Sequence, residues 1–260
     1  MDLQIIGLCR FAYPGWGGFQ VAHDDTDARA AHLWAPERME ARLRTLEHVC
    51  LRTVARQRDG DFLFLVVTGD ALPEPWRARL RAIAARVPQA EIVFHPPENQ
   101  RHAMERIVAA RIDPEGPPVV QFRQDDDDGV GLRFIGRVRD TVAQTLPLWE
   151  RHRRLCIDFT EGYSYAPGPL RVHRATRAHL GVAQALVLGP DNRRTAVHFP
   201  HHKVGRMMPT VSLPDAPMWL RGIGMNDSDT SREAARLAAP TEEERADLAD
   251  RFGLDLDALG

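Results

Sequence analysis

Through the first 160 residues, short apolar runs alternate with amphipathic stretches, and that alternation restricts the chain to a sheet covered by crossover helices. The strongest run is Asp61 to Thr68, DFLFLVVT. It is too uniformly apolar for a solvent-facing edge, so it reads as a central strand, ended by Gly69 and Asp70. Leu3 to Cys9 is a shorter buried strand, and the loop RFAYPGWGGF after it carries Pro14, Gly15, Gly17 and Gly18, which forbid regular structure. Pro36 suits the first turn of a long helix reaching about Arg56, with Met39, Leu43, Leu46, Val49, Cys50 and Val54 at three- and four-residue steps along one face. Pro73 opens a second helix through about Val87. Glu91 to Phe94 forms a third strand, Asn99 to Ile112 a third helix and Val119 to Phe122 a fourth strand. The class is α/β, with a mostly parallel central sheet flanked by helices.

Beyond residue 150 the pattern is more broken. Leu155 to Phe159, Leu170 to His173 and Ala185 to Leu188 read as short strands, and HFPHHKVGRMMPTVSLPDAP as a Pro-punctuated loop. Thr241 with Glu244 makes a capping box for a last helix, polar and expected to be peripheral. A chain of 260 residues with 43% hydrophobic content can bury one substantial core. Its 34 basic and 36 acidic residues leave a formal charge of −2, so no net field draws nucleic acid. The three cysteines, Cys9, Cys50 and Cys156, are odd in number and far apart, which gives neither a disulfide framework nor a CxxC pair and fits a reducing cytoplasm. No leader is expected from MDLQIIGLCR, and no stretch approaches the roughly 20 apolar residues that span a bilayer. A soluble cytoplasmic protein is the expectation, with peripheral membrane contact left open.

The fourth strand runs straight into Asp125, Asp126, Asp127 and Asp128, then Gly129, before a helix over Phe134 to Leu146. In open α/β sheets ligands collect outside the carboxyl ends of strands, so the run lies where a site is expected. Four adjacent carboxylates repel one another and call for a compensating cation. Hard divalent ions such as Mg²⁺ or Mn²⁺ take carboxylate oxygens and keep positions open for substrate phosphates. On a continuing strand Asp125 and Asp127 would share a side and Asp126 would face away. The plain alternative is a solvated acidic loop. A Ca²⁺ loop is disfavoured by the missing ligand spacing.

The order strand, DxDD, apolar residue, helix (Phe122, Asp125, Asp127, Asp128, Val130) is similar to the DxD signature of A-type glycosyltransferases. GLCRF, ERMEARLRTLEHVCLRTVARQ, DFLFLVVTGDALP and QFRQDDDDGV together resemble a bacterial family of rhamnosyl transferases, well over residues 1–160 and less closely at MWLRGIGMNDS. The resemblance implies a single Rossmann-like nucleotide-diphospho-sugar transferase domain over 1–235, with a donor half (1–146), an acceptor half (147–235) and a C-terminal helical extension (236–260). It implies a metal, Mn²⁺ or Mg²⁺, on Asp125, Asp127 and Asp128, and a sugar, rhamnose by the family's name, passed from a nucleotide-diphosphate donor to a glycan or lipid-linked acceptor. It also implies that Arg10, Phe11 and Asp70 touch the nucleotide, with Asp125 and Asp126 beside it.

Residue chemistry adds further candidates. A departing nucleoside diphosphate needs positive charge, which Arg101, Arg106 and Arg123 could supply, because guanidinium forks match phosphate oxygens. A late histidine, His202 or His198 of the HFPHH run, could complete the metal shell. An inverting transfer needs a carboxylate base, for which Asp158, Glu161 and Asp227 are candidates. Each of these has an ordinary structural reading as well. Other classes also stay open: a Mg²⁺-dependent phosphohydrolase or nucleotidyltransferase, or a noncatalytic nucleotide-sugar binder.

Overall fold

In the computed structural model, which describes residues 2–17, 25–224 and 231–259, the expected alternation is realised as β1 (Gln4–Arg10), α1 (Thr26–Leu33), α2 (Pro36–Thr45), α3 (Leu51–Ala55), β2 (Leu63–Gly69), α4 (Glu74–Ala84), β3 (Ala90–His95), α5 (Gln100–Ala109) and β4 (Val119–Arg123). After these come β5 (Gly129–Val130), α6 (Phe134–Gln144), α7 (Leu146–His152), β6 (Arg154–Phe159), β7 (Glu161–Ala166), β8 (Arg171–Thr176), β9 (Gln184–Leu188), β10 (Thr210–Leu213), β11 (Trp219–Gly222), α8 (Ser231–Ala234) and α9 (Glu242–Phe252).

The main sheet has the order β10-β6-β9-β4-β1-β2-β3. All neighbouring pairs are parallel except those of β9, which runs against both β4 and β6. This is the Rossmann-like α/β arrangement that the resemblance implies. Both faces of β1 and β2 are covered, which is why those strands are apolar throughout. Ile5, Cys9, Phe64 and Val66 join Met39, Leu43 and Cys50 in one core, while Ile6, Leu8, Leu65 and Val67 pack with Met104 and Val108 of α5 in another. Gly7 has no room for a side chain: a Cβ there would lie 2.4 Å from the rings of Phe64 and Phe122.

The long helix expected from Pro36 is present, but its middle, Leu46–Cys50, widens into a π turn between α2 and α3. A second sheet, ordered β5-β11-β7-β8, was not expected. The segment read as a Pro-punctuated loop holds 3-10 turns at Ala196–His198 and His201–Arg206 and the strand β10. The capping box at Thr241 and Glu244 opens α9 as expected, but that helix is not peripheral. Its Leu248 and Phe252 pack with Tyr163, Tyr165 and Leu220 of the second sheet. Among the described residues no helix is long and apolar enough to cross a membrane.

Candidate active site

At the end of β4 the chain makes one more ladder contact, Gln124 N donating to Leu8 O at 3.1 Å, and then turns sharply, with Asp128 N donating to Asp125 O at 3.0 Å. The turn separates the four aspartates. Asp126 and Asp127 are 1% and 0% exposed and face α2, where Arg42 Nε lies 3.0 Å from Asp126 Oδ2 and Arg42 Nη1 lies 3.6 Å from Asp127 Oδ2. Asp125 is exposed and Asp128 is 7% exposed, and both line an open cleft of about 620 Å³. The expectation that Asp125 and Asp127 share a side is therefore corrected, because the strand does not continue through the run. Asp126 and Asp127 point to an arginine rather than to a ligand.

The second sheet holds this turn from behind. Tyr165 Oη donates to Asp127 O at 2.9 Å, Gly222 N donates to Asp128 Oδ1 at 3.3 Å, and Gln124 Nε2 donates to Asp128 O at 3.0 Å. Burial pushes the Asp126, Asp127 and Asp128 carboxyls above the ordinary carboxylate range; Arg42 pulls back on the first two and Arg221 on the third. Burial also works against the Arg42 charge, but Asp126, Asp127 and Asp125 outweigh it and hold the guanidinium firmly ionised.

Of the residues expected at a site, Arg10, Arg123, Asp125, Asp128 and His202 meet in this cleft. Arg10 ends β1 and Arg123 ends β4, adjacent strands with their carboxyl ends on the same side. Burial lowers the pKa of Arg123, and Arg10 lowers it further, while Asp125 and Asp128 oppose both. Neither arginine has an ion pair among the described residues. Arg177, His179, Arg221 and Glu233 of the cleft escaped the sequence reading, and His201 entered it only within the HFPHH run. Arg177 and Arg221 both pair with Glu233 of α8, and His179 and His201 form part of the wall. Arg221 lies in MWLRGIG, the one local signal that could have found it.

Other expected residues lie elsewhere. The Phe11 ring is wholly buried in the main core and offers no face to a base. Asp70 is exposed beyond β2, its carbonyl accepting from the Arg77 side chain. Arg101 is exposed on α5, and Arg106 pairs with Glu98. His198 is tied into its own turn, with Nδ1 accepting from Thr195 N at 3.2 Å and Nε2 3.6 Å from Glu105, and burial lowers its pKa. Glu161 is half-buried at the start of β7, its carbonyl accepting from Met218 N at 2.8 Å, and it does not line the cleft. Asp158 is fully buried behind the wall, and Asp227 lies outside the described residues.

Solved structures similar to the chain include S. aureus TarS proteins. A 1–349 fragment in complex with UDP is 10% identical, with a TM-score of 0.46, over 86% of this chain and 61% of that one. The fragment with UDP-GlcNAc is 7% identical, with a TM-score of 0.38, over 99% of this chain and 69% of that one. The chain thus spans about 61% of the length of the UDP-bound fragment, and likeness at this level says nothing of the site. No curated protein matches the chain. A family model does: the one described as "Putative rhamnosyl transferase" matches residues 4–236. Covering every strand of both sheets and the whole cleft, that match makes the chain a member of this glycosyltransferase family.

Proposed function

We propose that the chain transfers a sugar from a nucleotide-diphosphate donor to a glycan or lipid-linked acceptor, with the donor diphosphate seated between Arg10 and Arg123. The observation that carries this reading is that those two arginines line one cleft with Asp125 and Asp128, at the carboxyl ends of β1 and β4. Breaking the glycosidic bond leaves negative charge on the nucleoside diphosphate. Guanidinium groups beside that position would stabilise the charge as it develops. Rhamnose as the sugar rests on the family description alone.

A divalent ion fits the residues present. Magnesium-type ions are bound through one or two carboxylates plus phosphate oxygens and water, and Asp125 and Asp128 are two such carboxylates facing the cleft. Mn²⁺ or Mg²⁺ held there would supply further positive charge at the leaving diphosphate. His202 lines the same cleft, but among the described residues no three His, Cys, Asp or Glu side chains are gathered to hold a metal.

The test is nucleoside-diphosphate release by the full chain from a panel of donors that includes dTDP-rhamnose and UDP-sugars, with and without Mn²⁺. Release should need Mn²⁺ and should fall on the order of 100-fold in Asp125→Asn, a change at an exposed residue that leaves the core untouched. A chain that binds and cleaves none of these donors contradicts the proposal.

A further inference from the structure

Asp158 of β6 is 0% exposed, and a buried carboxylate requires donors. It has two: His179 N at 2.8 Å and Gln184 Nε2 at 3.1 Å. The imidazole of the same His179 also leans on it, with Nδ1 3.6 Å from Asp158 Oδ2. That nitrogen is buried and has no hydrogen-bond partner, while 31% of the side chain remains exposed. His179 lies in the wall of the cleft that holds Asp125 and Asp128.

The loop carrying His179 is strained. His179 has a φ of 57° and Ala183 a φ of 50°, left-handed values that residues with a Cβ adopt only when the surroundings insist. His201 clamps the loop from the other side. Its Nδ1 lies 2.6 Å from His179 O, and because a carbonyl only accepts, this nitrogen is the donor. Such strain is characteristic of sites where one side chain must point one way.

We infer that His179 is the general base of the transfer, taking the proton from the acceptor hydroxyl at Nε2, and that Asp158 is its positioning residue. The inference rests on the transferase reading above. As the acceptor oxygen bonds to the anomeric carbon, the hydroxyl proton moves to Nε2. The bond from that carbon to the phosphate oxygen breaks, and its electron pair leaves with the nucleoside diphosphate. The Asp158 carboxylate offsets the charge of the imidazolium and holds the ring with Nδ1–H inward; contacts of this kind often lie beyond hydrogen-bond length until substrate is bound. A single displacement of this form inverts the anomeric centre.

Two other groups of the cleft are already engaged. Glu233 is tied by both Arg177 and Arg221, the latter at 3.1 Å. Among the described residues His201 has no ion pair with a carboxylate, and its pKa is lowered by burial and by Arg123, His202 and Arg221, despite its hydrogen bond to His179.

His179→Gly tests the assignment. Glycine accepts the left-handed backbone and leaves an imidazole-sized gap; His179→Asn, which also tolerates that conformation, is its companion should the loop loosen. With the donor cleaved by the wild-type chain, nucleoside-diphosphate release should fall on the order of 100-fold or more in both variants. The Kd of UDP or TDP with Mn²⁺ should stay unchanged, and added imidazole should restore part of the His179→Gly rate. Asp158→Asn should lower kcat while leaving KM for the donor in place. Wild-type release rates in the His179 variants, or no recovery with imidazole while the nucleotide still binds, would overturn the inference alone. A wild-type chain inert toward every donor removes the transferase reading, and this inference with it.

Discussion

Arg42 stands between two carboxylates that have lost nearly all contact with water, and this one guanidinium allows the aspartate turn to form inside the protein. Removing one partner of such a buried arrangement costs on the order of 3–5 kcal/mol when the other must stay charged. Asp126 and Asp127 can escape by taking up protons, and their folded pKa values are already raised by burial. A carboxyl whose folded pKa lies above its unfolded value stabilises the fold fully below the ordinary carboxylate range. That contribution is lost as pH rises through the folded value. Arg42→Met raises the folded values further, so its cost in urea denaturation should be about 3 kcal/mol near pH 8 and should shrink toward pH 5. A cost independent of pH would show that the two carboxylates do not take up protons when Arg42 is lost. The aspartates were legible in the sequence as a dense anionic run at a strand end. Arg42 was not, because it is one of several arginines on the polar face of its helix, and only the tertiary fold brings it to the turn. Phe11 was misread for a related reason: following a buried strand, its ring continues into the core.

Among the elements, the second sheet acts as a brace that fixes the acidic turn against the first. Strand β11 approaches so closely that a Cβ on Gly222 would lie 2.7 Å from Asp127 Cβ and 2.8 Å from Asp127 O. Gly222→Ala should therefore lower stability by about 1–3 kcal/mol, the usual cost of overpacking, and should lower turnover as well by shifting Asp128 from the cleft. Calorimetry together with the release assay checks both, and full activity in a stable variant would mean that the brace does not set the turn. The strand-helix units of the first half were legible because each strand is buried on both faces. Strands β5, β10 and β11 have four residues or fewer and lie among Pro and Gly. In β7 the residue that reads as punctuation, Gly162, is required by contact with Trp219, whose backbone O would lie 2.2 Å from an added Cβ. Such a requirement depends on the partner strand and leaves no periodic trace.

Over the whole molecule, the C-terminal segment completes the structure behind the site. Phe252 is fully buried and packs edge-on to Tyr163, 6.4 Å between ring centroids, while Tyr165 in the same cluster donates to the Asp127 carbonyl. Arg52 Nε donates to Gly253 O at 2.6 Å, fastening the end of α9 to α3, which follows α2 and its Arg42 through the π turn. Phe252→Ala should cost about 3–5 kcal/mol in denaturant midpoint experiments, a value far above that of a frayed peripheral helix. The polar composition of α9 concealed this, since only Leu248 and Phe252 of its residues are buried.

A crystal structure of the full chain grown with Mn²⁺ and UDP or TDP shows directly what the cleft holds. It should show the diphosphate between Arg10 and Arg123 and the ion on Asp125 and Asp128, with Asp126 and Asp127 still turned to Arg42. Nucleotide bound away from the two arginines, or Asp125 directed into bulk solvent with no ion beside it, would contradict the account.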